Sequence, residues 1–265
     1  MFKDFFQNLG YRASRQFVLL LIPFIIAGGL LLFGYYQLLP EPTCSDLIKN
    51  QGEEEIDCGG PCISCLFKHI QDIQISSVKF DEVSMGLYDV VAEVKNPNVK
   101  LLAKDFFYEI TLRDDKGVIA QKTEGRSYLY AGETAHIIEG GIVSKRKIAV
   151  AEFSIDNKKA KWIQGENKEP VILSGEKIAQ TVKKTDGSVS TQLKLKIINS
   201  ALENFRNVEV GVLILDDNKN IVAMNKTLID LLETGDFFPL TFSWPGEFNI
   251  NTANVLIEPR VRITD

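Results

Sequence analysis

An internal repeat, at an offset of about 103 residues, limits the folds open to this chain more than any other feature. Asn96 matches Asn199, each closing an alternating stretch. The apolar runs Tyr108–Leu112 and Val210–Leu215 lead into Asp114-Asp115 and Asp216-Asp217. Val118-Ile119-Ala120 then matches Ile221-Val222-Ala223, and Gly132-Glu133 matches Gly235-Asp236. Landmarks kept in one order predict tandem copies of a single domain. Period-two patterning in Tyr88–Val94, Phe107–Arg113 and Leu193–Ile197 predicts strands, and Asn-Pro, Asp-Asp-Lys-Gly and Ala-Gly-Glu predict the turns between them. Short strands spaced by turns predict a mainly β chain with two β-sandwiches, at residues 71–157 and 168–265. Residues 158–167 between them are polar enough for a linker, with Trp162 and Ile163 expected to pin it to one copy.

Ahead of the repeat, Phe17–Tyr36 runs for 20 residues without a charge. As a helix it would be roughly 30 Å long, the thickness of a bilayer core, and it shows no polar stripe of the kind that marks a core helix. The run is too long for a signal-peptide apolar region and lacks a small-residue cleavage site, so a retained membrane anchor is expected. Lys3, Arg12 and Arg15 precede it against Asp4 alone. Positive-inside then predicts a cytoplasmic stub over 1–16, a transmembrane helix over 17–36 and residues 37–265 outside the cell membrane. The chain is acidic, with net charge −5, which argues against a nucleic-acid partner.

All four cysteines fall within residues 44–65, in a module expected over 37–70. Outside the membrane, Cys44, Cys58, Cys62 and Cys65 point to two structural disulfides, and three pairings are possible. Zinc is the alternative, weakened by irregular spacing; a Cys62-x-x-Cys65 redox site is another, without the strand–helix setting such sites have. Asp46, Asn50, Glu53 and Asp57 are oxygen donors every three or four residues, a candidate calcium set. The competing reading is that they cap turns through their own side chains.

The pattern Cys44-x-Asp46-x₃-Asn50-Gln51-Gly52-Glu53-x₃-Asp57-Cys58-Gly59-Gly60-Pro61-Cys62-x₂-Cys65 resembles the "DCGGxC" cysteine-rich motif of secreted and surface-anchored microbial proteins. Leu47 stands where that motif commonly has glycine. The resemblance implies an extracytoplasmic setting and no catalytic residues. Within the repeat, Leu87-Tyr88-Asp89-Val90-Val91 and Leu112–Val118 resemble FxLYD-type envelope domains, with Met85 where the name has phenylalanine. That likeness implies immunoglobulin-like or fibronectin-III-like sandwiches.

Residues fit for catalysis are sparse. His69 lies in the link after the cysteine module, and His136 falls in an apolar strand where a core or edge role is expected. No G-x-S-x-G, H-E-x-x-H or P-loop sequence occurs. Asp114-Asp115 and Asp216-Asp217 read as turn residues rather than paired catalytic acids. Trp162 and Trp244 are candidate binding anchors, or else seal the sandwich cores. The sequence thus predicts a non-enzymatic, single-span envelope protein that binds a protein partner or serves as a spacer. The alternative is an accessory or sensor subunit of a membrane complex.

Overall fold

The computed structural model describes residues 21–37, 43–165, 172–183 and 187–262. The chain forms two compact units, residues 1–65 and 66–265.

In the first unit, a helix runs over 21–37 and exposes apolar side chains on all sides, Phe24 at 77% and Leu31 at 75% among them. The expected span is therefore seen only in part, since 17–20 and the 1–16 stub lie outside the described residues. No helix among the described residues is long and apolar enough to cross a membrane. The cysteine module follows, closed by Cys44–Cys62 and Cys58–Cys65. Its turns need positive φ at Gly52, Gly59 and Gly60. A Cβ on Gly60 would sit 2.6 Å from the Gly52 carbonyl oxygen, so the Gly-Gly pair is a packing requirement.

The second unit holds both copies of the repeat. The first copy pairs β1 (Gln74–Ser84), β2 (Leu87–Lys95) and β5 (Thr134–Val143) in one sheet, in the order β1-β2-β5. Its second sheet is β4 (Ile119–Leu129), β3 (Leu101–Arg113) and β6 (Val150–Ile155), with β7 (Lys161–Gln164) sharing β3's far edge. The second copy repeats the plan. Its first sheet joins β8 (Ile172–Ser174) and β9 (Ile178–Lys183) to β10 (Val189–Asn199) and then β13 (Phe237–Pro245). Its second has the order β12 (Ile221–Leu232), β11 (Phe205–Leu215), β14 (Val255–Arg260). Each copy buries its own core, around Val90, Phe106 and Ile110 in the first and Leu193, Val210 and Ile229 in the second.

The repeat's landmarks do the same work twice. Asn96 and Asn199 are fully buried. Asn96 Nδ2 donates to the carbonyls of Leu101 and Tyr130, and Asn199 Nδ2 to those of Glu203 and Leu232. Each Oδ1 accepts the N–H two residues on, at 2.9 Å. One expected match shifts by a residue. Arg113 pairs with Ile119 and Leu215 with Ile221, so Ile119 corresponds to Ile221 rather than to Val222. The extra residue lies in β12, which has 12 residues to the 11 of β4.

The expected linker is also shorter than 158–167. Within it β7 pairs with β3, Trp162 opposite Ala103 and Ile163 opposite Leu102, so 161–164 belong to the first sandwich. Residues 166–167 lie outside the described residues.

Candidate functional site: the junction of the two sandwiches

The two copies meet through one sheet face each. Val91 and Ile138, outward-facing on β2 and β5, pack with Leu213 and Met224 on β11 and β12 in a small buried cluster. Gly211 lies at this contact, where an added Cβ would stand 3.2 Å from Ile138 Cδ1.

Polar side chains surround the cluster. Arg260, at the end of β14, is 6% exposed and reaches into the first sandwich. Its Nη2 donates to the Tyr128 carbonyl at 2.6 Å, and its Nε lies 3.2 Å from Glu133 Oε1. Its guanidinium also lies 4.4 Å from the Tyr128 ring centroid. Burial opposes the charge on Arg260, but Glu133 outweighs it and the pKa stands above its ordinary value. His136 Nδ1 is 2.7 Å from Glu258 Oε1, its backbone N–H donates to Glu258 Oε2 at 3.0 Å, and its Nε2 is 3.8 Å from Glu93. Further along β5, Tyr108 donates to Glu139, which also pairs with Lys226 at 3.2 Å. Burial, and then the hydrogen bond to Glu139, push the Tyr108 phenol pKa up, so it stays a donor. Tyr130 Oη donates to the Val261 carbonyl at 3.0 Å.

These contacts enclose a cleft of about 230 Å³, lined by Tyr130, Glu133 and Thr134 from one copy and Ile257, Glu258 and Arg260 from the other. That is smaller than the roughly 300–1,000 Å³ of drug-sized ligand pockets. Both carboxylates in it are already hydrogen-bonded, and both ring nitrogens of His136 face carboxylates. The chemistry shown here is that of a tie between strands. His136, expected in the core or at an edge, joins β5 to β14.

The other sequence-derived candidates lie elsewhere. All four cysteines are oxidised, and Cys62 and Cys65 are not bonded to each other, so the zinc and Cys-x-x-Cys readings both fall away. In the calcium set, Asp46 accepts N–H groups from Thr43 and Ile48 and the Asn50 side-chain amide. Glu53 accepts from Asn50 and Asp57, and Asp57 from Leu47. The Asn50 amide, first, and those N–H groups lower the Asp46 pKa. Turn capping is the role this geometry shows. Among the described residues, the groupings of acids and sulfurs close enough to share a metal ion both include disulfide sulfurs. Trp244 is no surface anchor: it is 4% exposed, packs with Phe242 and Phe248, and donates Nε1 to the Met224 carbonyl. Trp162 is half-buried against the first core. Asp114 and Asp216 close their hairpins, accepting the N–H groups of Val118 and Asn220.

The strand expected at Tyr88–Val94 forms, but its period-two pattern holds only in part, and the departure is a signal for the junction. The first copy's β2 reads Tyr-Asp-Val-Val-Ala-Glu-Val, whereas its counterpart β10 reads Leu-Lys-Leu-Lys-Ile. Likewise β11 ends Val-Gly-Val-Leu-Ile-Leu where β3 ends Tyr-Glu-Ile-Thr-Leu-Arg. Strands buried on both faces lose alternation. Each of the two strands supplies one residue to the junction cluster, Val91 from β2 and Leu213 from β11.

No family model and no curated protein matches the chain. Among solved structures, red sea bream transglutaminase is similar at 10% identity and TM-score 0.25, over 73% of this chain and 30% of that one. The N-terminal CBM22-1-CBM22-2 tandem domain from Paenibacillus barcinonensis Xyn10C is similar at 7% identity and TM-score 0.15, over 75% of this chain and 88% of that one. Likenesses this low carry no argument about fold or activity.

Proposed function

We propose that this chain is a membrane-anchored, extracytoplasmic binding module with two immunoglobulin-like sandwiches and no enzymatic activity of its own. The observation that carries the reading lies in the first unit: an apolar helix with no polar face, followed within six residues by a module closed by two disulfides. Each Leu, Ile or Phe left in water forgoes about 2 kcal/mol of burial, so a helix exposing Phe24, Ile25, Leu30, Leu31 and Phe33 needs an apolar surrounding. The uncharged sequence from Phe17 extends the run to bilayer length. Disulfides persist in oxidising surroundings, which supports placing the bulk of the chain outside. The junction lends no support to catalysis, because its polar groups are committed to holding two sheets together.

Intact spheroplasts treated with protease and a thiol-alkylating reagent test this. Digestion within residues 43–262, with both bridges intact and no thiol labelled, is the expected result. A protected domain, or labelling of Cys44, Cys58, Cys62 or Cys65, would overturn it.

A further inference from the structure

Beyond the junction, the outer face of the first sandwich carries a cluster of cations that its core does not need. Asp105 on β3 lies between two guanidinium groups from different sandwiches. Arg126 Nη2, from β4, is 3.5 Å from Asp105 Oδ2, and Arg262 Nη2, two residues past the end of β14, is 3.1 Å from Oδ1. The carboxylate side chain is 13% exposed while the arginines are 52% and 53% exposed. Lys161 lies directly opposite Asp105 in the β3–β7 ladder, which puts its side chain on the same sheet face. Two guanidinium groups thus flank one carboxylate, with Lys161 on the same sheet face, on a chain whose net charge is −5.

The surroundings fix this arrangement. The register of β3 slips between Ala103 and Phe106 against β4, and between Ala103 and Asp105 against β7. Irregularities of this kind re-aim a side chain. Arg126 lies with its Cζ 4.2 Å from the centre of the Phe107 ring, a cation–π contact that helps hold the guanidinium in place. The neighbouring charges are already balanced, Glu109 by Lys122 and Arg113 by Glu152. In the second copy the positions of Phe107 and Arg126 hold Glu209 and Leu228, so the fold does not require the cluster.

Half-exposed ion pairs contribute only about 0–1 kcal/mol to stability, so two arginines on one carboxylate are poorly explained as a clamp. Each guanidinium has five N–H donors and spends few of them on Asp105. Forked donors from two guanidiniums, with an ammonium beside them, match the oxygens of phosphate, which carries more charge than a single carboxylate.

We infer that the face formed by Arg126, Arg262 and Lys161 around Asp105 binds phosphate groups of a polyanionic partner. The site is complete only when both sandwiches are docked, because Arg262 comes from the second. It goes beyond the anchoring proposal and does not depend on which side of a membrane the domain occupies.

The full chain in zwitterionic detergent, titrated with tripolyphosphate at low salt and followed by calorimetry, tests the site. Saturable binding that weakens with added salt is expected, with citrate binding about tenfold more weakly. Arg262→Gln and Arg126→Gln should each weaken binding by about tenfold, or ~1.4 kcal/mol, and Lys194→Gln on the second sandwich should leave it unchanged. Arg262 lies two residues past the end of β14 and is half-exposed, so its variant keeps the test valid if Arg126→Gln fails to fold. Absence of saturable heat, citrate binding as tight as tripolyphosphate, or full affinity in Arg262→Gln would overturn the assignment.

Discussion

Asp89 shows how a single buried group depends on its neighbours. It is 9% exposed on β2, its Oδ1 accepts the Gly141 N–H at 2.8 Å, and it faces Asp81 across the β1–β2 ladder. Burial raises its pKa, the Gly141 N–H lowers it, and the Asp81 charge raises it again; the net shift is upward. A carboxyl whose pKa is higher folded than unfolded favours the fold while protonated. That contribution is whole below about pH 3.9, the ordinary value, and is lost as pH rises through the folded pKa. Asp89→Asn keeps the acceptor and removes the charge. It should therefore be more stable than wild type to urea at pH 7, with the difference gone by about pH 3. Equal stability at pH 7 would show that the charge costs nothing. Nothing in the period-two pattern marks Asp89, because its burial comes from strands far along the chain.

Among the elements, the hairpins β3–β4 and β11–β12 are the same turn with different residues at its left-handed position. Gly117 has φ +75° in the first, and Lys219 has φ +68° at the equivalent place in the second. The left-handed conformation costs a non-glycine residue roughly 1–2 kcal/mol, partly offset by glycine's extra chain entropy when unfolded. Lys219→Gly should therefore stabilise the protein by about 0.5–1 kcal/mol, and Gly117→Lys should destabilise it by a similar amount, both read from urea midpoints. Leu47 follows the same rule. It has φ 62° in a turn of the cysteine module. Cysteine spacing could not choose among three pairings; only the path of residues 44–65 could.

For the whole molecule, the decisive contact is the one between copies, and it rests on positions where the copies differ. The cross-strand pair Val91–Ile138 of the first copy becomes Lys194–Thr241 in the second. Conversely, Leu213–Met224 of the second copy is Thr111–Lys122 in the first. Each copy has one face made apolar for its neighbour, and the matching face of the other copy is polar. Exchanging the pattern with Ile138→Thr and Met224→Lys together should leave both cores intact and separate the sandwiches. Small-angle scattering would then show a larger radius of gyration, and thermal unfolding would split into two transitions. Unchanged scattering would mean that the ties around Arg260 hold the junction without the apolar cluster.

The duplication, the strand-and-turn character of both copies and the oxidised cysteines were legible in the sequence, because each depends on local chemistry: side-chain period, turn residues and thiol clustering. Local chemistry also allowed Trp244 to be an anchor, gave β7 to a linker and left His136 without a partner. Tertiary structure decided those. Trp244 faces inward because the alternation of β13 sets its parity, Trp162 leaves the linker because β3 is long enough to pair both β6 and β7, and His136 meets Glu258 across 122 residues of chain. The alternation of one strand fixes which side chains share a face. What lies against that face is fixed by the rest of the chain, and the broken alternation of β2 and β11 acquires its meaning only when the two sandwiches are docked.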